Sequence, residues 1–159
     1  MSTATIALPD AYATEAAGER LASALRGGML IAISGELGAG KTTLVRGCLR
    51  ALGWDAPVKS PTYMLVEQYP LSRLYFYHFD FYRFASPGEW ETAGLADYFR
   101  DDSVCVVEWP ERVAALLPRP DLALTLSHPV DPDVAGRKLE LVAQTESGER
   151  CLIAIMARR

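Results

Sequence analysis

The stretch Met29-Leu30-Ile31-Ala32-Ile33-Ser34-Gly35-Glu36-Leu37-Gly38-Ala39-Gly40-Lys41-Thr42-Thr43 decides the fold. Met29 to Ile33 is a short continuous apolar run, the pattern of a parallel strand buried on both faces. It leads into G-x-x-x-x-G-K-[ST], matched at Gly35, Gly40, Lys41 and Thr42. A helix is expected from about Lys41 to Leu52, stopped by Gly53. Each fixed position has a physical reason. Glycines let the backbone wrap so that successive N–H groups point at phosphate oxygens. The helix opening at Lys41 adds its positive N-terminal end. Lys41 reaches the β- and γ-phosphates of a nucleoside triphosphate, and the Thr42 hydroxyl binds Mg²⁺. A plain strand–helix turn is the competing reading. The apolar strand before the loop and the helix after it favour a nucleotide site.

Working outward, residues 10–26 read as an amphipathic helix capped by Asp10, with Ala13, Ala17, Leu21, Ala24 and Leu25 on one face. After the loop helix, Pro57 and Pro61 mark residues 55–62 as loop. Met64–Tyr69 and Leu74–Asp80 read as strands joined by the turn Pro70–Arg73, a hairpin. Pro87 opens a short helix and Leu95–Phe99 another. Val104–Val107 is a second buried strand, and Pro110 starts a helix running to Leu117. Strand-like runs follow at Leu122–Leu126, Leu139–Ala143 and Cys151–Ile155. The expectation is one α/β domain over residues 1–159. Its sheet is mainly parallel with antiparallel additions, and helices cover both faces.

The chain has 159 residues, half of them apolar, enough for a core without disulfide or metal staples. Its net charge of −4 argues against gripping nucleic acid unaided. Cys48, Cys105 and Cys151 are scattered with no CxxC pair, so buried free thiols are expected. No signal peptide and no apolar run near 20 residues is visible, which reads as a cytoplasmic chain with no membrane span.

Three further groups carry chemistry. Glu108 leaves a buried strand beside the loop strand, where such sheets place a Mg²⁺ ligand or its supporting carboxylate. A solvated loop carboxylate is the bland alternative. In His78-Phe79-Asp80-Phe81-Tyr82-Arg83, Asp80 also ends a strand and can face the same crevice as metal ligand or catalytic carboxylate. Arg83 can pair with Asp80 or meet phosphate. His78 reads better as a satisfied, half-buried histidine than as a catalyst. Tyr75, Tyr77, Phe79 and Phe81 alternate and read as one stripe of core. In Lys59-Ser60-Pro61-Thr62, the Ser60 and Thr62 hydroxyls are candidates to sense the γ-phosphate.

With these residues assembled, the chain resembles the TsaE (YjeE) family, small bacterial ATPases of the tRNA threonylcarbamoyladenosine pathway. The matching stretches are Thr14 with the following helix, GELGAGKTTLVRG (35–47), SPTYMLVEQY (60–69), HFDFYRF (78–84) and VVEWPER (106–112). The resemblance implies a P-loop NTPase-like fold. It implies that Gly38, Ala39, Gly40, Lys41, Thr42 and Thr43 hold the phosphates of ATP, and that Thr42 and Glu108 hold Mg²⁺. Thr14 and Arg137 would lie near the nucleoside and Trp109 beside the active site. Asp80 would be needed for hydrolysis, and residues 60–63 would act as a switch. Tyr63-Met64 departs from the more usual Phe-Thr, so no hydroxyl contact is carried over to position 64. The implied partners are TsaB and TsaD, whose complex hydrolysis would reset between cycles, with tRNA reached indirectly through them.

The expected mechanism is Mg²⁺-dependent hydrolysis of a nucleoside triphosphate; that the base is adenine is implied by the resemblance alone. Lys41 and the loop amides stabilise phosphate charge, and Asp80 or Glu108 orients the attacking water. Hydrolysis is expected to be slow alone and faster with partners. One rival is a small-molecule kinase, disfavoured because only Arg112, Arg119 and Arg137 follow the Glu108 strand before the tail. Another is an ATP-dependent binding switch with little turnover.

Overall fold

A computed structural model describes residues 1–59, 61 and 65–157. The switch candidates Ser60 and Thr62, and the Tyr63-Met64 departure, lie outside the described residues. Seven strands form one sheet: β1 (Ser2–Leu8), β2 (Met29–Ser34), β3 (Val66–Pro70), β4 (Tyr75–Asp80), β5 (Ser103–Glu108), β6 (Leu122–Ser127) and β7 (Arg137–Ala143). Their order is β1-β7-β6-β2-β5-β4-β3. The centre is parallel: β2 pairs with β5 and β6, and β4 with β5. Both edges are antiparallel, through β3–β4 and through β6–β7–β1. The expected α/β sheet, parallel with antiparallel additions, is what forms.

The α-helices are α1 (Ala11–Ala22), α2 (Lys41–Ala51), α3 (Pro87–Thr92) and α4 (Glu146–Met156). One face of the sheet carries α1, α2 and α4. Ala17, Leu21, Leu44, Cys48, Cys151 and Ile155 pack there against Ile31, Ile33, Val104, Val106 and Leu124. The other face buries Tyr77, Phe79, Phe81, Cys105 and Val107 against Trp90, Leu95 and Val113. The aromatic alternation of β4 is therefore core from Tyr77 to Phe81, while Tyr75 at its start stays exposed. All three cysteines are buried free thiols, and burial pushes each thiol up, Cys105 to about 12 and Cys151 to about 11.

The structure corrects three expectations and adds one element. The first helix stops at Ala22, where the Ser23 hydroxyl donates to the Arg20 carbonyl (2.7 Å), rather than running to residue 26. Cys151–Ile155 is helix, not strand. Thr145 caps α4 by accepting from the Gly148 amide (3.1 Å), and Gly148, Cys151 and Ile155 form its buried side at helical spacing. Pro110 opens only a single tight turn, Pro110–Val113. The prolines at 118 and 120 disfavour helix just before them. Residues Ser2–Leu8, given no element from the sequence, form edge strand β1, paired along its length with β7.

Candidate active site

β2, β5 and β4 lie side by side and parallel, so their carboxyl ends open on one crevice, where open α/β sheets bind ligands. β2 runs into the glycine loop, β5 ends on Glu108 and β4 ends on Asp80. Register makes Asp80 the direct neighbour of Glu108. A cavity of about 670 Å³ opens here, lined by Gly38, Gly40, Lys41, Thr42, Thr43, Asp80, Glu108 and Trp109 among others.

The loop needs its glycines. Gly35 has φ +151°, and a Cβ there would stand 2.6 Å from the Leu126 carbonyl oxygen. Gly40 caps α2 in the left-handed region at φ +102°, which turns the first amides of the helix toward the cavity. Lys41 is only 5% exposed. Its ammonium donates to the Gly35 carbonyl, lies 4.0 Å from Glu108 Oε1 and sits 4.3 Å from the centroid of the Trp109 ring.

Trp109 reaches that position because its backbone adopts φ +56°, unusual for a bulky residue. Its ring also lies 5.0 Å from the Tyr82 ring. Asp80 Oδ1 accepts from the Tyr82 amide (2.9 Å), which fixes the turn after β4. Burial pushes the Asp80 carboxyl above its ordinary value. The Tyr82 hydrogen bond opposes this, and the Glu108 charge adds to it.

A side recess of about 250 Å³ adjoins the main cavity, sharing Gly38, Gly40 and Thr43 with it. Thr14 and Arg137 line this recess. Arg137 donates from Nε to the Ala39 carbonyl and from an Nη to the Gly38 carbonyl, each at 3.2 Å, and so braces the glycine loop from β7. Ala39 differs from its neighbours. Its methyl is buried, its amide donates to Glu36 and its carbonyl is taken by Arg137.

One side chain behaves differently from its sequence reading. His78 is fully buried, not half-buried, and its Nε2 donates to Glu108 Oε2. Glu108 is itself 2% exposed and still within its strand, not a solvated loop carboxylate. Arg83 forms no ion pair with Asp80 among the described residues and lines the main cavity, as do Tyr82, Leu65 and Glu89. The period-2 spacing of His78 and Asp80 was the available signal, since it puts both on one face of β4.

The chain is similar to proteins already known. A family model described as threonylcarbamoyl adenosine biosynthesis protein TsaE matches residues 8–138. A Haemophilus influenzae protein named tRNA threonylcarbamoyladenosine biosynthesis protein TsaE is 39% identical, covering 97% of this chain and 98% of that one. The Bacillus subtilis protein of the same name is 34% identical over 82% of this chain and 85% of its own. The crystal structure of Bacillus subtilis YdiB superposes with a TM-score of 0.80 at 25% identity, covering 97% of this chain and 94% of that one.

Proposed function

Because the chain belongs to the TsaE family of threonylcarbamoyl adenosine biosynthesis proteins, we propose that it is a Mg²⁺-dependent ATPase serving threonylcarbamoyladenosine modification of tRNA. Its hydrolysis resets a TsaB–TsaD-type complex between catalytic cycles, and tRNA is met through that complex. One observation carries the reading. Lys41, Asp80 and Glu108 converge around a glycine loop at the ends of three adjacent parallel strands.

The residues present fit a Mg²⁺–triphosphate. The loop exposes a Cβ-free path along Gly38 and Gly40, and the side chains of Lys41, Thr42, Asp80 and Glu108 share the cavity. Mg²⁺ prefers oxygen ligands and is commonly held by one or two carboxylates together with substrate phosphates. Thr42 and Glu108 would hold it, and when bound it supplies charge neutralisation on the β- and γ-phosphate oxygens. Lys41 places a positive charge on the same phosphates, and the loop amides of residues 38–43 cradle them. Thr14, Trp109 and Arg137 would border the nucleotide, and Arg137 holds the Ala39 and Gly38 carbonyls.

Asp80 orients the attacking water. Its Oδ1 is taken by the Tyr82 amide, which leaves Oδ2 for the water, and burial makes the carboxyl a stronger proton acceptor than an exposed aspartate. Glu108 suits that task less, because one of its oxygens is held by His78 and the other faces Lys41.

The test is phosphate release measured with and without the TsaB–TsaD pair. The proposal expects slow release alone and a clear acceleration with the pair. Equal rates overturn the partner role. No Mg²⁺-dependent release under either condition overturns the ATPase.

A further inference from the structure

We propose that His78 is the positioning residue of this site: it grips one oxygen of Glu108 and so presents the other to the metal side of the cavity. The proposal rests on the Mg²⁺–nucleotide reading above and assigns a part in it to a histidine outside the cavity lining.

The register of β4 on β5 sets the arrangement. Phe76 pairs with Val104, His78 with Val106 and Asp80 with Glu108, so these six side chains share the face that meets α2. His78 is thus an imidazole set between the apolar Phe76, Val104 and Val106 and the two carboxylates, with no exposed surface. A leucine or phenylalanine would pack there without a polar atom to satisfy. The burial is costly as well as polar, since Nδ1 has no hydrogen-bond partner among the described residues. What His78 gains is the contact from Nε2 to Glu108 Oε2.

Glu108 needs that contact. A glutamate carries one more side-chain torsion than an aspartate, so holding its carboxylate in one orientation costs more conformational entropy. The two oxygens have different neighbours. Oε2 is bound by His78, and Oε1 lies 4.0 Å from the Lys41 ammonium, on the side where phosphate charge would gather. His78 therefore decides which oxygen faces the cavity. Outer groups that orient metal-binding carboxylates change metal affinity by about 10–100-fold when removed.

The experiment compares His78→Gln and His78→Asn by calorimetric titration with ADP, once with Mg²⁺ and once with EDTA. Glutamine carries an amide donor that reaches as far as Nε2, whereas the asparagine donor is about one bond shorter. Both are polar and fill most of the imidazole volume, and thermal melts verify that both fold. The expected result is equal ADP affinity for all three proteins in EDTA. With Mg²⁺, His78→Asn binds about 10-fold more weakly than wild type and His78→Gln within about twofold of it. Two outcomes overturn the proposal: His78→Asn keeping the whole Mg²⁺-dependent gain, or both variants losing it equally. Wild-type protein that gains nothing from Mg²⁺ overturns the metal reading itself, and that result is distinct from either of the others.

Discussion

Asp80 and Glu108 are register partners across β4 and β5, so two carboxylates end adjacent parallel strands on the same face. Burial pushes the Asp80 carboxyl up first, and the Glu108 charge adds to the effect. A carboxyl whose folded pKa is raised favours the protonated folded state. Its contribution to stability is present below the ordinary carboxylate value of about 4 and is lost as pH rises through the folded value. Asp80→Asn keeps the oxygen that accepts from the Tyr82 amide and removes the ionisation. It should raise the melting midpoint at neutral pH by roughly 1–2 °C, discounted because the group is half-exposed. The gain should vanish near pH 3. Melts across that range check the sign, and an unchanged or lowered midpoint at pH 7 contradicts it.

The same substitution separates binding from chemistry. With Asp80 as the group that orients water, Asp80→Asn should lower the hydrolysis rate by about 10²–10⁴-fold while ADP affinity stays within about threefold. In wild type, the acidic limb of the rate profile should lie above the ordinary aspartate range of about 4. Single-turnover rates across pH 4–8 measure both. A limb at or below that value, or a rate unaffected by the substitution, removes Asp80 from the role.

Lys41 and Trp109 give an optical handle. The ammonium stands 4.3 Å from the indole centroid. Phosphate drawn into the glycine loop competes for that charge and alters the field at the ring. Nucleotide addition should therefore change tryptophan emission, and Trp109→Phe should abolish the change although Trp54 and Trp90 still emit. Lys41→Ala should weaken nucleotide binding about 100-fold, the scale of losing a charge-assisted contact of ~3 kcal/mol. A persistent signal in Trp109→Phe would place the reporter elsewhere.

The parts of this site that were legible in the sequence are local. The glycine loop reads directly, because its strand, turn and helix occupy one continuous stretch and every position has a backbone reason. Glu108 and Asp80 read as strand ends, because Val104–Val107 is apolar throughout and the β4 aromatics alternate. The pairing of His78 with Glu108 was not legible. It depends on β4 lying parallel to β5 in one particular register, and no residue between 78 and 108 encodes that alignment on its own.

The misread elements share a cause of the same kind. Cys151–Ile155 is apolar and β-branched enough to pass for a strand, yet the Thr145 cap and a buried side of Gly148, Cys151 and Ile155 at helical spacing go with a helix. β1 was missed because Ser2–Leu8 holds small and polar residues, and it forms by pairing with β7, which follows it by more than a hundred residues. Arg137 came only through resemblance, and the structure supplies its physical reason in the two loop carbonyls it holds.

Those two contacts predict a loop defect. Arg137→Ala frees the Gly38 and Ala39 carbonyls, so ADP should bind about 10-fold more weakly, the scale of one charge-assisted hydrogen bond. Arg137→Lys should recover little, because an ammonium does not reproduce the planar fork that meets both carbonyls. Calorimetry on the two variants decides the matter, and full recovery by lysine would mean that charge alone sets the effect.

The last prediction concerns how Thr14 comes to lie beside the loop. α1 and α2 meet through two glycines. A Cβ on Gly18 would stand 2.0 Å from the Leu44 carbonyl oxygen, and one on Gly47 would stand 2.0 Å from the Glu15 carbonyl oxygen. Both obstacles are backbone, so no side-chain rotation relieves them and the helices must separate. Gly47→Ala should cost about 3 kcal/mol, or roughly 6–12 °C in melting midpoint for a chain of this size. It should also weaken ADP binding, because moving α1 carries Thr14 away from Gly40 and Thr43 in the shared recess. Gly18→Ala should behave alike. Since one separation makes room for both methyl groups, the double variant should lose clearly less than the sum of the singles. Additive losses would show that the two glycines act independently, and a wild-type midpoint in either single variant would show that the interface yields without cost.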